Sequence, residues 1–95
     1  MYGLTQTLID EIITCAEKNS INRVILFGSR SRGDYKKLSD IDIAVTGGNT
    51  AGFTADVDEE THTLLSFDVV DLDKPVQKEL LCSIVGEGVV LYEKV

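Results

Sequence analysis

Val24-Ile-Leu-Phe-Gly-Ser-Arg-Ser-Arg-Gly33, followed by Ser39-Asp-Ile-Asp-Ile-Ala-Val45, decides how this chain is read. Four consecutive apolar residues stop at a Gly-Ser pair. So short a run without a polar break predicts a strand covered on both faces. Gly28 tolerates positive φ and carries no Cβ, so an anion can approach the backbone there. Ser29 then opens a helix, whose first N–H groups lack internal partners and favour negative charge. In the second stretch Ile41, Ile43 and Val45 alternate with Asp40, Asp42 and Ala44. That predicts a strand with one apolar face and two carboxylates projecting from the other.

Two carboxylates held this close repel each other unless cations sit between them. Magnesium takes hard oxygen ligands, commonly one or two carboxylates together with substrate phosphates. Two such ions would clamp the attacking and leaving oxygens of a phosphoryl or nucleotidyl transfer. A third carboxylate is wanted to hold the metal and draw a proton from the nucleophile. Phe67-Asp-Val-Val-Asp-Leu-Asp73 offers three. Asp68 lies within the apolar strand, where an unpaired charge is expensive, and is the first choice. Asp71, on the opposite strand face, is the fallback, and Asp73 reads as a helix cap. No Gly-Lys-Ser/Thr follows a glycine-rich loop and GxGxxG is absent, so neither a Walker loop nor a Rossmann fingerprint is present.

Ninety-five residues predict one domain spanning 1–95, with an ordinary balance of 43% apolar and 26% charged residues. The formal net charge is −7, but charge is unevenly placed. Arg30, Arg32, Lys36 and Lys37 fall within eight positions, whereas Leu38 to Asp73 holds nine Asp or Glu and no Lys or Arg. A basic segment beside an acidic one reads as an anion grip next to a cation site. The overall negative charge argues against direct nucleic-acid binding. Cys15 and Cys82 sit in apolar helical patterns as small core residues, and no zinc spacing is present. The sequence carries no leader and no stretch of membrane length, so a cytoplasmic protein without membrane contact is expected.

Around the two strands the pattern predicts a helix over Thr5–Lys18 and a short one from Ser29 to about Lys37, weakened at Gly33. Thr46-Gly-Gly-Asn-Thr50 reads as a loop. A weak helix is expected over Thr54–Leu65 with Val57, Leu64 and Leu65 turned inward, and a strand over Phe67–Leu72. Asp73 would cap a helix over Lys74–Val85, with Pro75 in its first turn and Gly86 and Gly88 ending it. Val89–Tyr92 would close the domain as an edge strand. The alternating order of helices and strands gives an α/β layered domain. His62, the only histidine, reads as a surface residue, and Tyr35 as a residue that could line the nucleotide site.

Gly28-Ser29, ten intervening residues, then Asp40-Ile-Asp42 fits the signature of the DNA polymerase β-like nucleotidyltransferase superfamily. The longer string from Phe27 to Gly33 with Ser39-Asp-Ile-Asp42 resembles its minimal nucleotidyltransferase (MNT) branch. Phe67 to Asp71 and Gly88-Val-Val-Leu-Tyr92 resemble that branch's C-terminal half. The resemblance implies a small mixed β-sheet with helices packed mainly on one side. It implies that Gly28 and Ser29, with Arg30 and Arg32 beside them, hold the triphosphate of ATP. Asp40 and Asp42 would hold two Mg2+ ions, with Asp68 as the third carboxylate. It also implies a partner. MNT proteins of this length resemble antitoxins paired with helical HEPN-type RNase toxins, and some transfer AMP to a tyrosine of that toxin. With the chain ending after the catalytic scaffold, the acceptor would arrive in trans. Two other readings are an antitoxin that masks the toxin without chemistry, and a small-molecule enzyme resembling aminoglycoside nucleotidyltransferases.

Overall fold

A computed structural model describes residues 1–94; residue 95, the last of the expected single domain, lies outside the described residues. The first helix, α1, spans Gln6–Lys18. The Thr5 hydroxyl caps it by accepting from the Leu8 N–H at 3.1 Å, and Leu8, Ile9, Ile12, Cys15 and Ala16 form its buried stripe. Then come β1 (Arg23–Phe27), the one-turn α2 (Ser29–Arg32), β2 (Ile41–Thr46), α3 (Thr50–Glu60), β3 (Phe67–Asp71), α4 (Lys78–Glu87) and β4 (Val89–Glu93).

The four strands form one sheet in the order β3-β2-β1-β4. β1 runs antiparallel to β2 and β4, and β2 runs parallel to β3, so the sheet is mixed as expected. The parallel pair is joined through α3, the crossover that parallel strands require. Alternation along the strands sorts the two faces. Val24, Leu26, Ile41, Ile43 and Val45 pack against α1 and α3 in the main core. Phe27 and Ala44, flanked by Ile25 and Val70, meet Ile84 of α4 on the other face. β1 is therefore covered on both sides, which is why it tolerates no polar residue from Val24 to Phe27.

Several elements differ from their sequence expectation, each for a local reason. α2 stops at Arg32, because Gly33 adopts a left-handed conformation (φ 88°) and its N–H closes on the Ser29 carbonyl at 3.0 Å. α3 begins at Thr50, inside the expected loop's edge, because the Asn49 side chain accepts from the Gly52 N–H at 3.1 Å. It ends at Glu60, so Leu64 is fully exposed rather than inward and Leu65 only half-buried; Phe53 and Val57 make its core contacts. Asp73 does not cap α4. Its carboxylate accepts from the Gly47 N–H at 2.6 Å, tying the end of β3 to the loop after β2. α4 therefore starts at Lys78, beyond Pro75, and continues through Gly86 to a cap at Gly88. Cys82 lies on the exposed side of α4, while Cys15 is buried. His62 is exposed and leans on Glu11, which its backbone N–H and imidazole both approach.

Candidate active site

The end of β1 and the beginnings of β2 and β3 meet at one end of the sheet. Gly28 follows Phe27 directly, and Phe27 lies opposite Asp42, which in turn lies beside Asp68 in the parallel pair. Asp42 shares its strand face with Ala44, so its carboxylate projects on the side of the sheet that carries α4. It rests against Gly28. A Cβ built on Gly28 would collide with the Asp42 Oδ2, and Gly28 has φ 77° and ψ −155°. Few residues but glycine adopt that conformation, so the position excludes a side chain twice over.

Asp40 and Asp68 are exposed and Asp42 is half-buried. Burial pushes the Asp42 carboxyl above the usual carboxylate range, and the charges of Asp68 and Asp40 push it the same way. The Arg32 guanidinium draws it partly back. Asp68 and Asp40 thus lie close enough to raise the cost of ionising Asp42, and a cation beside it would relieve that cost. Among the described residues, no group of three or more His, Cys, Asp or Glu side chains is gathered closely enough to hold a metal ion alone. Asp71, the fallback third carboxylate, pairs with Val45, three residues along the strand and about 10 Å from the Asp68 row. It accepts instead from the Asp73 N–H at 2.9 Å.

The basic residues divide. Ser29 begins α2 beside Gly28, and no side chain caps that end. Arg32 is partly exposed and reaches Asp34 and Glu87. Arg30, expected among the anion-binding residues, is instead a framework residue. It is 1% exposed. Its Nε and Nη2 donate to the Ser39 carbonyl at 3.2 and 2.8 Å, and its Nη1 donates to the Tyr2 carbonyl at 3.1 Å. Its guanidinium lies over the Tyr35 ring at 5.0 Å, a cation–π contact that occupies one face of that ring. Two residues along a helix turn the side chain by about 200°, which sends Arg30 inward and Arg32 outward. Arg30 thereby pins the backbone one residue ahead of Asp40. Arg30→Met is expected to lower stability by about 2–3 kcal/mol, because it strands carbonyls that had a charged donor. For a domain this small that is a fall of roughly 10–15 °C in melting temperature. A melt unchanged by the substitution, with nucleotide affinity lost, would return Arg30 to the anion site.

Residues 10–95 match the family described as polymerase beta, nucleotidyltransferase, and the chain belongs to that family. It is a nucleotidyltransferase. Among its relatives is a Methanocaldococcus jannaschii protein named "putative protein adenylyltransferase". The two are 36% identical over 85 residues, 79% of this chain and 82% of the relative. The fold resembles that of a toxin–antitoxin crystallised with AMP-PNP, at a TM-score of 0.73 and 26% identity, over 90% of this chain and 73% of that one. It also resembles the toxin–antitoxin MntA-HpeT carrying two aspartate-to-glutamate changes, at a TM-score of 0.70 and 25% identity, over 90% and 73% of the two chains.

Proposed function

We propose that this chain is an antitoxin of the MNT kind, a single domain that transfers AMP from ATP to a side-chain hydroxyl of a HEPN-type RNase toxin in the cytoplasm. The observation that carries the reading is the Asp42 carboxylate seated against Gly28 with Asp68 in register beside it. A phosphate grip and a carboxylate cluster then share one end of the sheet. The M. jannaschii relative's name and the AMP-PNP-bound toxin–antitoxin support the same chemistry and the same kind of partner. A net charge of −7 suits a basic protein partner and repels free nucleic acid.

In this reading Gly28 and Ser29 receive the triphosphate on backbone amides and the Ser29 hydroxyl, and Arg32 balances its charge from the side. Asp40, Asp42 and Asp68 are hard oxygen donors that would hold two magnesium ions, which neutralise charge on the attacking and leaving oxygens. The acceptor hydroxyl oxygen bonds to the α-phosphorus, and the bond from that phosphorus to the bridging oxygen of pyrophosphate breaks. Asp68, exposed beside the half-buried Asp42, takes the hydroxyl proton. The test is transfer from ATP labelled at either the α- or the γ-phosphate, with the protein encoded beside this chain as acceptor. Label from the α-position alone, with release of pyrophosphate, is expected. Label from the γ-position would make the chain a kinase and overturn the proposal.

A further inference from the structure

Arg32 is the last residue of a one-turn helix, and its long side chain is 43% exposed. Left alone, such a side chain would sample many rotamers. Here its Nη1 meets the Glu87 Oε2 at 2.9 Å and its Nε meets the Asp34 Oδ2 at 3.3 Å. Neither contact uses Nη2. Glu87 comes from the last turn of α4, 55 residues further along the chain. It is brought here because Ile84, one turn earlier, packs on Phe27 and Ala44 beside the end of β1. The guanidinium so held follows Gly28 by four residues and is tied to α4, which covers the sheet face from which Asp42 projects.

An exposed ion pair adds little to stability, so the consequence of this one lies elsewhere. Ordering an arginine normally weighs against binding, and a side chain ordered beforehand avoids that loss. We infer that Glu87 is a positioning residue for the nucleotide: it holds Arg32 at the mouth of the carboxylate site with Nη2 left to donate to a phosphate oxygen. Asp34 adds a local tether from the same loop, but only Glu87 couples the phosphate turn to α4. This rests on the proposed nucleotide site.

Binding of an unhydrolysable ATP analogue with Mg2+, followed by calorimetry, tests it without need of an acceptor. Glu87→Ala is expected to weaken binding about three- to tenfold, the range for one rotamer-rich side chain that must be ordered on binding. Glu87→Asp should recover part of the loss. Thermal melts should barely move. With acceptor present, KM for ATP should rise with kcat unchanged. In the Arg32→Ala background, adding Glu87→Ala should change nothing further. Unchanged binding, tighter binding (Glu87 competing with phosphate for Arg32), or a loss that persists in the Arg32→Ala background would each overturn the inference. A wild-type chain that binds no nucleotide would overturn the proposed function, and this inference with it.

Discussion

Asp42→Asn is expected to cut nucleotidyl transfer by at least about a hundredfold while the fold survives. A metal ion that stabilises charge in the transition state contributes several kcal/mol, Asp42 would help hold that ion, and each 1.4 kcal/mol or so is tenfold in rate. The amide keeps the size of the side chain that rests on Gly28, so the turn need not move. Stability should change in the opposite direction to activity. The Asp42 carboxyl is raised in the folded state, first by burial and then by Asp68 and Asp40. The folded chain therefore binds this proton more tightly than the unfolded chain does. The ionised form costs stability above the folded-state value, and the cost fades as pH falls through it towards the ordinary value near 4. In metal-free buffer the Asn variant should melt at or above wild type at pH 7, with the advantage vanishing in acid. Initial rates and melts at both pH values check the two halves. A variant that labels its acceptor at a near wild-type rate would contradict the role given to Asp42.

Gly28→Val should be at least as damaging, and it should harm the fold as well. At φ 77° a β-branched residue is strained by roughly 1–3 kcal/mol before any contact is counted. Its Cβ also occupies the place of the Asp42 carboxylate. The substitution therefore strikes the proposed phosphate grip and the Asp42 carboxylate together. We expect a lower melting temperature and no measurable binding of ATP with Mg2+. Ser29→Ala, at the neighbouring position, should be milder. It removes one hydroxyl donor to a charged group, about 1.5–3 kcal/mol, while leaving the amides in place. Normal turnover by Gly28→Val would mean that the triphosphate is held elsewhere.

The parts of this molecule legible in its sequence are those fixed by local pattern. A continuous apolar run marked β1, and strict alternation marked β2, because a strand's environment repeats every two residues. The mixed sheet followed from the family resemblance carried by the same stretch. α3 and α4 were harder. α3 buries only Phe53 and Val57, too few for a clear period, and its start depends on Asn49 capping from within a Gly-Gly-Asn stretch. α4 lost its expected cap because Asp73 is drawn to the Gly47 amide across the sheet, a contact between residues 26 apart. Arg30 illustrates the limit most sharply. Nothing in Ser29-Arg-Ser-Arg32 separates a buried arginine from an exposed one. What separates them is the carbonyls of Tyr2 and Ser39, which only the folded chain brings within reach. Asp68 reads ahead of Asp71 only from its place inside the apolar run, and the register of β3 against β2 sets Asp68 beside Asp42 and Asp71 beside Val45.

The most direct test is the intact mass of the protein encoded by the neighbouring gene, the proposed toxin, after co-expression with this chain. A shift by one or more adenylyl units is expected, lost when Asp40→Ala and Asp42→Ala are introduced together while the two proteins still associate. A tight complex that silences the toxin with no mass shift, whatever nucleotide is supplied, would contradict it and leave an antitoxin that works by masking alone.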